Sequence, residues 1–567
     1  MAKSTTTQAK SKTDPRIGRT LLKYTGIGIL TLIVAALLLD QFANPKNQLG
    51  GFGKGVDPET KTITLHLSTE PPQLNSSLAT DMLSGMVLGH VMEGLLRYDE
   101  DNNLAPGIAK RWVIEEESAT FWLRTDALWS NGTPVTAHDF IFAWKLALDP
   151  KNASEYSFIL HPIANAEKIT EGKLPLETLG AEAIDDHTLV VKLERPIAYF
   201  DKLVAFPTYY PINEAFYKKH GQRYGAESDS LLYNGPFELS LWVHGAQLTL
   251  KKNHRYWNKS AVHLNYIDFA YITSDPNAAL NLFKDNKIAH TGLTSENLKE
   301  AMEQRWNMHR FMDGSVFFIE YNFRPKRVTA NFHLRKAIQL AIDNSELVYK
   351  VTKLPGYLPG QSVFPVWLKG VNDYFRREYP AQMPAPNLNA ARSHLEQAKK
   401  DLGVTEIPPI VLLTGDNPLS SIQSEYLQQK LLRALGLEIR LDKQIFKQRL
   451  AKMTSGDFDM VLAGWGPDYD DPLTFGDLFA SWNPNNRGRY SNPELDAQVE
   501  IAKTELAPEK RMRAFSEIQK ILIEDAAIHP LYERGSTYVI NPSLQGMIRR
   551  AVGLDPDYTY AYIVEPQ

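Results

Sequence analysis

Ala463-Gly464-Trp465-Gly466-Pro467-Asp468-Tyr469-Asp470-Asp471-Pro472 is the stretch on which the chain turns. Residues 458–462 before it read as a strand, and Leu473-Thr474-Phe475 follows. Gly, Pro and Asp in close order cannot continue a strand or a helix, so a turn-rich loop is expected at that strand's C-terminal end. In open α/β sheets, ligands bind in the crevice outside such ends. The loop offers one large ring, Trp465, and three carboxylates, Asp468, Asp470 and Asp471, with no basic residue, Cys or His. That chemistry suits a cation with an apolar neighbour, such as the α-ammonium end of a peptide. The competing reading of the same residue types is a solvated acidic turn with Trp465 in the core.

The flanking sequence supports the placement. From residue 410 the pattern alternates: strand 410–413, helix 421–435 closed by Gly436, strand 437–441, helix 445–453, strand 458–462. Such alternation predicts parallel βαβ units, with Gly as the helix stop. A further helix is expected over 508–523, with a tail from 538 to the end.

Working back toward the N-terminus, strand 316–321 and helix 332–342 precede this region. Earlier still, the sequence is β-rich, with alternating apolar positions at Ile63, Leu65 and Leu67, at Leu248 and Leu250, and at Ile267 and Phe269. Met82 to Leu96 is apolar at helical spacing and predicts one buried helix. Asn131-Gly132 signals a tight turn, and Thr136 with Asp139 forms a capping-box pattern ahead of a helix over 140–148. His138, in that first turn, has no second His or Glu at metal spacing and reads as an exposed side chain.

Residues 1–23 carry Lys3, Lys10, Lys12, Arg16, Arg19 and Lys23 against one Asp14, and an uncharged run follows from Tyr24 to Leu39. Basic flank first and apolar run second predicts a signal or signal-anchor with the N-terminus in the cytoplasm. Gln41-Phe42-Ala43 is a poor cleavage site and no Cys is present for lipidation, so an uncleaved anchor over 24–43 is the expectation. The Gly-rich, polar stretch 44–56 reads as a linker.

At 567 residues the chain is too long for one core. A net charge of −4 gives no sign of nucleic-acid binding. Zero Cys removes disulfides, thiolate metal sites and Cys nucleophiles. No cofactor or metal is expected.

Five stretches in order resemble one family. They are Glu93-Gly94-Leu95-Leu96, the segment from Asn131 to Phe140, Asn234-Gly235-Pro236-Phe237, Leu334-Arg335-Lys336-Ala337 with Ala341-Ile342-Asp343, and the Trp465 loop. Together they look like the solute-binding proteins of peptide ABC importers, specifically the oligopeptide-binding type, from about residue 60 to the C-terminus. The resemblance implies an α/β, two-lobed periplasmic-binding-protein-like fold (type II, large peptide-binding class) with an extra α/β domain, here behind an N-terminal membrane segment. Lobe I would be 57–92, 214–315 and 535–567; the extra domain 93–213; lobe II 316–534. It implies a monomer that captures peptides and meets the permease and ATPase subunits of an importer at the extracytoplasmic face of a bacterial inner membrane.

Carried over by residue, Asp468 matches the aspartate that pairs with the peptide α-ammonium. Gly464 and Ala463 match positions whose backbone groups pair with the peptide as an added strand. Trp465 matches a pocket wall, Tyr156 a tyrosine of the extra domain facing the ligand, and Met82 joins the site. Where Gram-negative members carry cations near the peptide carboxylate, this chain has Leu462, Met453 and Ser420, which argues against a fixed-length peptide gripped at both ends. Gly466 stands where some relatives place a disulfide Cys.

Three rivals remain. A hydrolase would need two carboxyls about 5–10 Å apart across a substrate, which neighbours on one loop rarely provide. A tethered peptide sensor or envelope chaperone would share the fold. So would a binder of another amine-bearing ligand.

Overall fold

The computed structural model describes residues 54–101 and 103–565. The basic segment 1–23, the apolar run 24–43 and most of the linker lie outside the described residues. No helix among the described residues is long and apolar enough to cross a membrane.

Three sheets carry the fold. The first has five strands in the order Val56–Asp57, Thr62–Leu67, Tyr266–Ile272, Gln247–Lys252 and Phe237–Val243. Its one parallel pair joins Thr62–Leu67 to Tyr266–Ile272, so chain segments some 200 residues apart close one core. The second is an antiparallel sheet of Ala109–Ile114, Ser118–Leu123, Thr188–Lys192 and Ala181–Asp185. The helix Ala137–Leu148 follows the Asn131-Gly132 turn and has the expected capping box between Thr136 and Asp139. Asp139 also accepts from the buried Trp129 indole at 3.2 Å, so the helix start is tied to the core.

The third sheet has seven strands, and its path runs His290–Gly292, Ile528–Ile540, Met308–Tyr321, Met460–Trp465, Ile410–Gly415 and Ile439–Gln444. Leu358–Pro359 adds to the side of Ile528–Ile540. The βαβ expectation holds here: Ile410–Gly415 pairs in parallel with both Ile439–Gln444 and Met460–Trp465. The helix Pro418–Leu435 ends on Gly436 in the left-handed region (φ 71°), where a glycine closes the helix without Cβ strain.

Met308–Tyr321 and Ile528–Ile540 form a long antiparallel ribbon. At its far end Asn541 donates to the Ala289 carbonyl, and Ala289 donates to Thr64 of the first sheet at 2.8 Å. The ribbon therefore runs from the first sheet into the third. Its register shifts between Met312 and Val316. At that bulge Gly314 takes φ +80°, and Arg534 pairs with Asp313 while also donating to Ser315 Oγ at 3.3 Å.

Three element expectations need correction. The strand expected over 458–462 is Met460–Trp465, so Gly464 and Trp465 belong to the sheet rather than to the loop. The strand expected over 316–321 begins eight residues earlier, because the bulge interrupts the alternation that marks a strand. The helix expected from Met82 to Leu96 stops at Val91, and Leu96–Tyr98 is a strand. Gly94 makes that turn under the Tyr210 ring, where an added Cβ would lie 2.8 Å from a ring carbon.

Candidate ligand-binding site

Met460–Trp465 is flanked unequally. On one side all six residues pair with Met308–Tyr321, from Tyr321↔Met460 to Val316↔Trp465. On the other, the ladder to Ile410–Gly415 holds only Leu412↔Met460 and Leu413↔Val461. Leu462 to Trp465 thus presents a free sheet edge at the strand's C-terminal end. The helix Phe446–Ser455, which packs on the Ile410–Gly415 side, sends Arg449 Nη1 to the Leu462 carbonyl at 3.2 Å. Backbone direction alternates along a strand, so Gly464 offers its N–H and C=O on the same edge as Leu462. Gly464 is exposed, and its missing side chain is required: a Cβ there would sit 2.7 Å from the Phe317 ring. Phe317 is itself fixed by stacking on Tyr532, with centroids 4.8 Å apart.

The loop beyond the strand is held from within. Asp468 donates its backbone N–H to Thr474 Oγ1 at 3.0 Å, and Asp471 Oδ1 accepts from the Leu473 N–H. Asp471 also takes both arms of Arg511 at 2.6 and 2.7 Å in a buried pair. The three carboxylates therefore divide their roles. Asp471 is a structural ion pair. Asp470 lends its carbonyl to Lys202 Nζ at 2.5 Å. Asp468 has no cation against it among the described residues; its Oδ1 accepts from the Tyr156 hydroxyl at 3.2 Å.

Asp468 keeps part of its surface open, yet protein surrounds its carboxyl closely enough to desolvate it. That desolvation pushes its pKa up to about 7, against the opposing Tyr156 hydrogen bond and with some help from Asp477. Asp477 is likewise pushed up to about 7 by burial, with Lys503 pulling the other way. With no cation of its own among the described residues, the Asp468 carboxyl favours a cation that comes against it.

The remaining expected residues converge on the same place. Tyr156 stands just before the short helical turn Ser157–Leu160 and stacks on Phe206 at 5.4 Å. Met82, 67% exposed, opens the helix Met82–Val91, and its Sδ would lie 4.0 Å from a Cβ added at Gly466. Trp465 is half-buried, and its Nε1 is enclosed without an acceptor among the described residues. Ala463 is buried and pairs with Phe318. His138 is exposed and lies 3.6 Å from Asp186. Among the described residues no group of three or more His, Cys, Asp or Glu is placed to hold a metal.

Sequence reasoning missed three charged residues here: Asp477, Arg449 and Arg487. The Asp477 charge acts on Asp468, and the Arg487 charge acts on both Tyr156 and Arg449. Asp477 ends the helix Leu473–Gly476, nine residues past Asp468, and the Asp-rich loop could have been followed that far. Nothing local marks either arginine.

Comparison with known proteins places the chain in a family. Residues 103–487 match the model of bacterial extracellular solute-binding proteins, family 5 Middle. The chain is 32% identical to a dipeptide-binding protein of Lactococcus lactis subsp. cremoris, over 89% of this chain and 95% of that one. It is similar in structure to the substrate-binding domain of an oligopeptide ABC transporter from Bacillus anthracis (TM-score 0.82, 35% identity), covering 89% of this chain and 99% of the other. It is also similar to Listeria monocytogenes OppA bound to peptide (TM-score 0.81, 33% identity), with the same coverage.

Proposed function

From a chain that belongs to the bacterial extracellular solute-binding proteins, family 5, we propose a protein that captures peptides between two lobes and delivers them to an ABC importer. It is a binding protein and not an enzyme, as its relatives are. The observation that carries the reading is Asp468: a desolvated carboxyl, without a cation of its own, at the end of a free strand edge. In this reading the peptide α-ammonium pairs with Asp468, and Tyr156 donates the remaining hydrogen bond. The peptide main chain adds to the edge at Gly464, with Ala463 behind it; Trp465 and Met82 form the walls. Recognition through the main chain tolerates many side chains, since every peptide carries the same backbone groups.

In this proposal the third sheet is shared between the two lobes. Residues 57–92, 214–315 and 535–567 form lobe I, 93–213 the extra domain and 316–534 lobe II, with the bulged ribbon as the hinge between them. Hinge closure on a ligand is a known mode for two-lobed binders. The basic segment 1–23 and the apolar run 24–43 support a tether that holds a monomer at the extracytoplasmic face of the membrane.

A thermal-shift screen of peptides of two to ten residues, each with a free and an acetylated N-terminus, tests the reading. Binding at 100 times the dissociation constant stabilises the folded state by about 2.7 kcal/mol, a shift that is readily seen. Free-amine peptides should raise the melting temperature, acetylated twins should not, and Asp468→Asn should abolish the difference. Equal shifts from both forms would remove Asp468 as the ammonium partner.

A further inference from the structure

Glu70 and Glu227 share one imidazole, that of His244. Glu70 Oε1 accepts from His244 Nδ1 and, at 2.9 Å, from the Trp242 indole; its Oε2 accepts from the Gly245 N–H at 2.9 Å. With its Nδ1–H given to Glu70, the neutral ring keeps its lone pair on Nε2. That nitrogen stands 3.4 Å from Glu227 Oε2, longer than a good N–H···O hydrogen bond. Among the described residues neither carboxylate has a Lys or Arg in ion-pair range. Two negative charges thus meet around a single ring, with no Lys or Arg built in against them.

The three side chains come from three segments, and each segment is fixed. His244 sits on the turn between Phe237–Val243 and Gln247–Lys252, where Gly245 takes φ +71° and the Trp242 ring lies 4.5 Å from the imidazole. Glu227 is held through Ser230, whose Oγ accepts from the Glu227 N–H at 2.8 Å and donates to its carbonyl at 3.0 Å. Glu70 follows the strand Thr62–Leu67 and is pinned by its own three donors. A tetrahedral zinc ion holds nitrogen and oxygen ligands at about 2.0–2.2 Å, which sets them about 3.4 Å apart. His244 Nε2 and Glu227 Oε2 already stand at that spacing. A carboxylate on the far ring nitrogen is the usual means of orienting a metal-bound His. The His244 and Glu227 side chains are 50% and 42% exposed, so water reaches the remaining coordination positions. We propose that His244 and Glu227 form a site for a divalent transition metal of the zinc class, with Glu70 as the positioning residue and water completing the coordination. The site stands apart from the peptide reading, since it uses none of the residues assigned to the ligand.

Calorimetric titration of the tag-free, chelator-treated full chain with zinc chloride at pH 7.5 tests it. His244→Ala should take up one zinc fewer per chain than wild type. Glu70→Gln should keep the stoichiometry and weaken this site about 10–100-fold, the cost of losing an orienting partner. Glu227→Asp, which keeps the carboxylate, should bind more tightly than Glu227→Gln. Zinc should raise the melting temperature of wild type more than that of His244→Ala, and cooperative melting of each variant without metal shows that it is folded. Calcium, which seeks six to eight oxygen ligands, should give no heat that His244→Ala removes. Equal zinc stoichiometry in wild type and His244→Ala overturns the site. So does calcium uptake that depends on His244, because an imidazole site does not select it. Absence of any zinc uptake by wild type also overturns it, and leaves His244 as an imidazolium clamped between two carboxylates.

Discussion

Below about pH 7 the Asp468 carboxyl holds its proton, because protein has replaced the water that would stabilise its charge. In the unfolded chain the same group ionises near its ordinary value of 3.8. Between these values the folded state binds one more proton than the unfolded state, so stability falls as pH rises from about 4 to about 7. Asp477 and Glu320, also pushed up to about 7 by burial, act in the same direction. The melting temperature of ligand-free protein should therefore drop between pH 5 and pH 7.5, and Asp468→Asn should show a smaller drop. Binding carries the opposite sign, because a peptide ammonium requires the ionised carboxylate. At pH 6 capture should release a proton, seen as a dependence of the titration heat on buffer ionisation enthalpy. Gly464 makes a second residue-scale prediction. Gly464→Val places a side chain against Phe317 and should cost about 1–3 kcal/mol in a denaturant melt while blocking the edge.

Arg511 and Asp471 show what holds the binding loop at the scale of elements. The pair ties the loop after Met460–Trp465 to the helix Pro508–Glu524 and leaves Asp468 free to face the cleft. Arg511→Ala would strand a buried carboxylate, and about 3–5 kcal/mol of stability should be lost. Asp139→Ala should cost less, about 0.5–2 kcal/mol, as the capping box and the Trp129 hydrogen bond are removed. Chemical denaturation measures both.

These elements also show how far the sequence can be read. The parallel alternation after residue 410 was legible because strands, helices and Gly stops repeat at short range. The Trp465 end of the strand was not, because Gly464 reads locally as a breaker. Its reason for being glycine is Phe317, which lies far away in the chain. The division of labour among Asp468, Asp470 and Asp471 was equally hidden, since it depends on Arg511, Tyr156 and Lys202 arriving from three other segments. Arg449 is an ordinary polar helix position until the fold sets its guanidinium on the Leu462 carbonyl.

In the whole molecule, the region of the antiparallel second sheet and the loop of the third meet across the candidate site. Tyr156 reaches Asp468, Lys202 reaches the Asp470 carbonyl, and Tyr199 stacks on Tyr469 with rings 5.5 Å apart. Such contacts would form as the lobes close, so ligand and closure are thermodynamically linked. Lys202→Ala removes one of them at a distance from the ammonium site. It should weaken every peptide by a similar factor, with no change in the preference for a free N-terminus. A crystal structure of the protein grown with a free-amine tetrapeptide tests the central claim most directly. The account predicts the peptide as an added strand on the Leu462–Trp465 edge, with its ammonium nitrogen about 3 Å from Asp468, the distance of a charge-assisted hydrogen bond. A peptide lying elsewhere, or running the other way with its carboxylate toward Asp468, would contradict it.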